Sequence, residues 1–202
     1  MSDKHVKALA KVAKPMKEFL GNIAGPNSEK WILAFGRFVR MENPWPKLVV
    51  RWTVTLGAYK TPKDYLRAIR SSRRFKVSDV AVEMLRRVKC SKKKVKINLT
   101  LASVAEIGLP EGGTTDELHA AILAQGGKLC PAEVGPAFRL LLKNQPNTEW
   151  WWLAMETIPD ARDSPRVFLV TNDCNEQALR GGRGRPGFFW RPDRMIVFVV
   201  PE

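Results

Sequence analysis

Residues 95–103 read Val-Lys-Ile-Asn-Leu-Thr-Leu-Ala-Ser, and apolar side chains stand at every second position from Val95 to Leu101. A period of two is that of a β-strand with one face buried and one face exposed. Residues 47–56 show the same alternation, with basic and hydroxyl side chains between the apolar ones. Both segments are therefore predicted to be half-buried strands.

Helical patterns surround these two strands. Apolar spacing, candidate N-caps and stop residues predict helices over 2–14, 28–41, 62–72 and 79–88, with Pro15 interrupting the first and a further turn running to Leu20. Apolar residues at i, i+4 and i+7 predict a buried face for 28–41. Thr114 and Glu117 have the spacing of a capping box, which predicts another helix ending at Gly126-Gly127.

The last third of the chain has the pattern of strands, over 149–158, 166–171 and 194–200, and predicts an antiparallel sheet. The predicted fold class is α+β, with N-terminal helices and a basic α/β half followed by a mostly antiparallel C-terminal sheet. The 202 residues are enough to bury a core. We expect a basic helical arm and linker over 1–27, a basic α/β region over 28–110, and a helix plus antiparallel region over 111–202.

Charge is distributed unevenly along the chain. Residues 1–100 contain 24 basic and 7 acidic side chains, a formal charge of +17, whereas residues 101–202 contain 10 basic and 13 acidic ones. This excludes a uniformly basic, histone-like chain. Solubility requires net charge but not such a separation of charge, so the first half is predicted to bind a polyanion.

The strongest basic pattern lies on the predicted helix 62–72 and just beyond it. Lys63, Arg67, Arg70 and Arg74 follow the spacing i, i+4, i+7, i+11, which predicts one longitudinal stripe. A solvated helix face is the alternative interpretation. The predicted phosphate contacts are Lys63, Arg67, Arg70, Arg73, Arg74, Lys92, Lys93 and Lys94, with Arg183 and Arg185 adding to them.

Two geometries for this contact remain open. Residues 61–89 would suit a helix-turn-helix, although the connection over 71–77 is long and lacks glycine. A sheet face with Arg51, Thr53, Lys96 and Asn98 would equally bind RNA or single strands.

Two aromatic or glycine-rich segments also bear on nucleic-acid binding. Residues 183–186, Arg-Gly-Arg-Pro, form the core of an AT-hook, but Phe-Phe-Trp follows closely and favours a hairpin loop. Residues 150–152 are three consecutive tryptophans, with Trp150 and Trp152 on one side of a strand and Trp151 on the other. Packing in a sheet core is favoured over stacking on bases.

Evidence for catalysis is limited to one cysteine. Cys130 precedes Pro131, where a helix dipole would stabilise a thiolate, and His119 and Glu133 would supply a base and an orienting carboxylate. Its apolar neighbours favour a buried structural residue instead. No phosphate loop, metal dyad or paired-carboxylate motif occurs, so an enzyme is not favoured and no cofactor or metal is predicted.

The cysteines and the hydropathy indicate a compartment. Three cysteines lack metal-ligand spacing, and neither a signal-peptide core nor a run of transmembrane length occurs. A reducing compartment, with the bacterial cytoplasm first, is the expectation.

Several short segments carry a resemblance. They are Leu-Cys-Pro-Ala-Glu-Val-Gly-Pro at 129–136, Glu-Asn-Pro-Trp at 42–45, Ser-Val-Ala-Glu-Ile-Gly at 103–108, Gln-Pro at 145–146, Ala-Met-Glu at 154–156, and Pro-Asp-Arg at 192–194 before Val-Phe-Val at 197–199. Over most of residues 30–200 the chain resembles a group of small bacterial proteins with no known activity. The resemblance implies no activity, ligand or site residue, and the lysine-rich start and the Arg-Gly segment depart from the group's pattern.

The predicted function is a nucleic-acid-binding protein that contacts the phosphate backbone through its basic N-terminal half without base specificity. Its partner would be DNA, RNA or a nucleoprotein complex, and not a membrane. One alternative is a protein-partner module, an inhibitor or accessory factor that docks on an acidic protein or a ribonucleoprotein. The other is a small cysteine-dependent enzyme.

Overall fold

The computed structural model describes residues 15–26, 28–41 and 48–201, and the chain divides into two units, 1–46 and 47–202. In the first unit, helix α1 covers residues 15–23, so it continues beyond Leu20, and helix α2 covers Ser28–Val39. The helix predicted over 2–14 lies outside the described residues.

The buried face predicted for α2 is only partly buried. Phe19 of α1 packs against Trp31 and Phe35, with ring centroids 6.4 and 4.7 Å apart. Phe35 is nonetheless 45% exposed, and Ile32, Phe38 and Val39 are each more than half exposed. The prediction is therefore wrong for these four side chains, because in the described part of this unit α2 has a single helix beside it, which covers one side.

The second unit contains four described helices and ten strands. The helices are α3 (Pro62–Ser71), α4 (Asp79–Arg86), α5 (Thr115–Ala124) and α6 (Val134–Leu141). The strands are β1 (Trp52–Leu56), β2 (Phe75–Val77), β3 (Val95–Ser103), β4 (Gly113–Thr114), β5 (Glu149–Leu153), β6 (Ile158–Pro159), β7 (Pro165–Asp173), β8 (Glu176–Arg183), β9 (Phe189–Trp190) and β10 (Met195–Val200).

The strands form one large sheet in the order β1-β3-β10-β5-β7-β8-β2, with β6 paired to β7, and a small sheet of β4 and β9. Pairing is antiparallel except between β10 and β5 and between β2 and β8. The predicted α+β class with a mostly antiparallel sheet is confirmed. Because β10 lies between β3 and β5, strands from both halves of the chain share this sheet.

Most predicted elements of this unit are found with small changes in length. Strand β3 has the predicted bounds, whereas the strand expected over 47–56 is observed over Trp52–Leu56 and the one over 149–158 is split into β5 and β6. Strand β8 was not predicted. Thr100, expected on an exposed face, is buried, because the sheet is covered on that face as well.

Two of the three tryptophans of β5 pack, one on each face of the sheet, whereas Trp150 is exposed. Trp151 is buried against Trp52 and Phe138, with ring centroids 5.3 and 6.4 Å apart. On the opposite face Trp152 lies 5.1 Å from Trp190, whose indole donates to the hydroxyl of Thr115 at the start of α5. Sheet-core packing, the favoured interpretation, is confirmed for these two residues.

Helices α3, α4 and α6 form the layer that carries the candidate site. Helix α6 packs on β1, β7 and β8, α4 packs on β8, and α3 packs on α4, α6 and β2. None of the helices in the described parts of the chain has the length and apolar character needed to cross a membrane.

Candidate nucleic-acid interface

Helix α3 presents three cations to solvent, because a capping box sets where the helix begins and two buried side chains set which face points inward. The Thr61 hydroxyl accepts from the Asp64 amide at 3.3 Å, and the Asp64 carboxylate accepts from the Thr61 amide at 3.1 Å, a reciprocal capping box that begins the helix. Tyr65 and Ile69 point into the core. Lys63, Arg67 and Arg70 are all exposed on the other side, as the helical spacing predicts.

The fourth member of the predicted stripe lies off the helix. Helix α3 ends at Ser71, and Arg73 has a positive φ of 49°, so the chain turns before Arg74. The Arg74 guanidinium donates to the carbonyl of Lys143, just beyond the end of α6. The prediction of a continuous helical stripe through Arg74 is therefore wrong, because the turn redirects the chain into strand β2.

A buried carboxylate joins the start of α3 to a second basic segment, residues 89–94. Glu133, at the start of α6, is 1% exposed and accepts hydrogen bonds from the amides of Gly57 at 2.8 Å and Ser91 at 2.7 Å. The Tyr65 hydroxyl donates to it at 2.8 Å. Burial raises the pKa of Glu133, but these donors lower it further, so its pKa lies below the ordinary value.

The two segments that Glu133 joins are in close backbone contact. Gly57 has a φ of +68°, and a Cβ at this position would lie 2.3 Å from the carbonyl oxygen of Lys93. Only glycine fits this approach. Lysines of the second segment therefore lie beside the loop that leads into α3. We call the exposed cations of the two segments the basic surface: Lys60, Lys63, Arg67, Arg70, Lys89, Lys92, Lys93 and Lys94.

The charge of this region is not neutralised. Between residues 60 and 96 there are fourteen Lys and Arg but only three Asp and Glu, and all fourteen basic side chains are exposed. Among the residues that the structure describes, one ion pair involves this set, Arg67 with Asp64 at 3.6 Å. Acidic residues of the second half pair instead with Arg166, Arg180 and Arg191.

Arg183 and Arg185 lie at another part of the fold. Arg183 ends β8, and the following loop is fixed to α5, since the carbonyls of Pro186 and Arg185 accept from the amide and hydroxyl of Thr115 at 3.0 and 2.9 Å. Strands β8 and β9 belong to different sheets. The expected hairpin loop is therefore wrong, because the segment crosses from one sheet to the other.

The helix-turn-helix interpretation is also wrong. Strand β2 lies between α3 and α4 and pairs in parallel with β8, so a strand of the sheet separates the two helices. The alternative sheet face is present. Thr53 lies opposite Asn98 and donates to it at 2.8 Å, and Thr55 lies opposite Lys96, on the exposed side of β1 and β3.

The cysteine site is not assembled. Cys130 is 3% exposed, its Sγ lies 3.6 Å from the Val197 carbonyl, and burial raises the pKa of its thiol. Helix α6 begins at Val134, so Cys130 is not at its N-terminus. The Glu133 carboxylate is bonded to the amides of Gly57 and Ser91 and, among the described residues, not to a histidine. His119 lies on α5, and burial lowers its pKa. The favoured structural role of Cys130 is confirmed, and the thiolate prediction is wrong.

Two features of this region have no counterpart in the sequence-based prediction. Glu133 accepts hydrogen bonds from the amides of Gly57 and Ser91, which lie 76 and 42 residues away in the sequence. The local sequence offers one indication of this contact, a glycine directly after an alternating strand. Arg139 of α6 is fully buried and donates to Gln145, Gln177 and the carbonyls of Thr171 and Leu142. Burial, with repulsion from Arg74, lowers its pKa to about 10.

Candidate metal ligands do not cluster in the part of the chain that the structure describes. Within the described ranges no group of three His, Cys, Asp or Glu side chains could hold a metal ion. Comparison with known proteins finds no matching family model, no matching curated protein and no matching solved structure. The resemblance to small bacterial proteins stays a prediction.

Proposed function

We propose that this protein binds nucleic acid through the phosphate backbone, without base specificity, and that the basic surface makes the contact. One observation carries the proposal: the eight cations of the basic surface are all exposed, and among the described residues only one of them, Arg67, forms an ion pair. Surface charges placed for solubility alone would not need to gather on two segments held together by a buried carboxylate.

The physical basis is counterion release. Each phosphate that a Lys or Arg neutralises frees condensed cations, so the logarithm of affinity falls by about 0.7 to 0.9 per contact for each tenfold rise in salt. Lys63, Arg67 and Arg70 project from one helix, and Lys92 to Lys94 lie beside the loop that leads into it. Such an arrangement positions a backbone but does not read base edges.

The expected compartment is the bacterial cytoplasm. All three cysteines are free, and they differ in exposure, from buried Cys130 to exposed Cys174. An exposed free thiol is more compatible with a reducing compartment than with an oxidising one.

A triple variant of α3 tests the proposal. Lys63→Gln, Arg67→Gln and Arg70→Gln together remove three cations and the Arg67–Asp64 pair. We expect weaker binding to a mixed-sequence oligonucleotide and a salt slope lower by about two to three. Dissociation constants measured from about 50 to about 200 mM salt give the slope.

The matched control removes three exposed cations from the other half. Lys128→Gln, Arg162→Gln and Arg191→Gln change the charge equally and also break one ion pair, Arg191–Asp193. This variant should keep the wild-type slope. Equal slopes for the two triple variants would reject the assignment. Binding to an acidic protein that survives nuclease treatment, with none to free DNA or RNA, would favour the protein-partner alternative.

A further inference from the structure

A shallow, open depression lies beside α3 within the basic surface. Its lining combines an aromatic ring, small side chains and charged groups, from Ala58, Tyr59, Lys60, Asp64, Arg67 and Ala68. The small side chains of Ala58 and Ala68 leave room next to the ring of Tyr59, which is partly exposed. The depression therefore offers a flat aromatic surface at the edge of a cationic one.

One side of the Tyr59 ring packs against another aromatic side chain. It packs against Tyr65 with ring centroids 4.7 Å apart, and the Tyr65 hydroxyl is bonded to the buried Glu133 carboxylate. A rigid ring loses little conformational freedom when another flat group stacks on it. The same carboxylate that joins the two basic segments thus also supports this ring.

The charged groups of the depression favour a phosphate-bearing ligand. Lys60 and Arg67 are exposed at its edge. The one carboxylate in the lining, Asp64, accepts from the Thr61 amide and hydroxyl and pairs with Arg67, so its charge is compensated locally. It remains an acceptor for an amino group of a base.

We propose that this depression holds an unstacked base of a single strand on the ring of Tyr59 while the neighbouring cations hold its phosphates. The inference rests on the proposed function and names its substrate class: single-stranded nucleic acid in preference to a duplex. In a duplex the faces of the bases are covered by stacking on neighbouring base pairs, whereas an unstacked base of a single strand can stack on an aromatic side chain. Stacking accepts any base, in agreement with binding that does not depend on sequence.

Three probes separate the contribution of the ring from that of the charges. They are a single-stranded oligothymidylate, a duplex with the same number of phosphates, and inorganic polyphosphate, which has no bases. We expect Tyr59→Ala to weaken oligothymidylate binding about 10- to 100-fold. Polyphosphate binding should not change, and Tyr59→Phe, which keeps the ring, should bind all three like the wild type.

A second variant avoids disturbing the packing of Tyr59 on Tyr65. Ala68→Gln places a longer uncharged side chain in the depression and keeps the ring. We expect the same selective loss of oligothymidylate binding. Normal affinity in both Tyr59→Ala and Ala68→Gln, or an equal loss for polyphosphate, would overturn the inference while leaving the proposed function intact. A wild-type protein that binds the duplex as tightly as the oligothymidylate would also overturn the inference, and one that binds neither of these two would instead overturn the proposed function.

Discussion

Glu133 is a single acidic residue on which the arrangement of many basic ones depends. Three donors from separate parts of the chain, Gly57, Tyr65 and Ser91, meet at its carboxylate. A buried carboxylate is costly unless it is well hydrogen bonded, and here its donors more than offset the burial. One negative charge thus holds two positively charged segments side by side.

The lowered pKa of Glu133 predicts a pH-dependent stability. Since the folded-state pKa lies below the unfolded one, its stabilisation is complete above the ordinary glutamate pKa of about 4.3 and is lost as pH falls through the lower folded value. Glu133→Gln should lower the free energy of unfolding at pH 7 by on the order of 1–3 kcal/mol. It should also make this free energy less dependent on pH in the acidic range. Urea unfolding at a series of pH values measures both effects.

Glu111→Gln is the control for this prediction. Glu111 is exposed, and no hydrogen bond or ion pair within the described residues involves it. Its substitution should leave the pH profile unchanged, including the part that comes from Asp160, whose pKa the Arg166 hydrogen bond also lowers. If Glu133→Gln gave the same profile as Glu111→Gln, the carboxylate would not be the anchor described above.

At the scale of elements, α6 is the helix that joins the basic layer to the sheet. Its N-terminal end carries Glu133, and its last turn carries Arg139, whose guanidinium reaches β7 and β8 through Thr171 and Gln177. Beyond its C-terminal end, the carbonyls of Leu142 and Lys143 accept from Arg139 and Arg74. Cations at this end also interact favourably with the helix dipole.

Arg139 should be essential for docking α6 on the sheet. Arg139→Ala leaves buried carbonyl and amide oxygens without donors, so we expect a loss of on the order of 3 kcal/mol in unfolding free energy. Arg139→Lys should not restore it, because a single ammonium cannot span acceptors on both sides of the planar guanidinium. Urea unfolding at pH 7 provides the comparison, with the exposed Arg162→Ala as control. Near-native stability of Arg139→Lys would contradict this role.

For the molecule as a whole, the sheet order makes the two halves of the second unit depend on each other. Strand β10, near the C-terminal end, pairs with β3 on one side and with β5 on the other. Strand β2 of the basic half likewise completes the opposite edge by pairing with β8. The basic surface lies in the first half of the sequence, but the scaffold that holds it is built from both halves.

Dividing the chain between residues 110 and 111 should therefore abolish folding of both pieces. A fragment of 48–110 leaves β3 without β10, and a fragment of 111–201 leaves one side of β10 and the outer side of β8 unpaired, with a core face uncovered. We expect neither fragment to give near-ultraviolet dichroism or protected amides. The intact chain is the reference. Protected amides in β3 of the isolated 48–110 fragment would show that this region folds alone.

The sequence by itself determined the local structure of the second unit. Alternation placed β3 over Val95–Ser103, and the N-cap at Thr61 before Pro62 and the capping box at Thr114 placed the starts of α3 and α5. It also placed three cations on the outer face of α3. These features depend on hydrogen bonds and side-chain periods within a few residues, which local sequence contains.

Only the tertiary structure decided which residues meet. It placed β10 between β3 and β5, inserted β2 between two helices, and brought Gly57 and Ser91 to Glu133. It buried Cys130 away from any helix N-terminus and fixed the Arg185 loop to α5 rather than to the basic surface. The physical reason is that partners of buried polar groups and neighbours in a sheet are chosen by the path of the whole chain, because burial must be satisfied globally while periodicity and capping act locally.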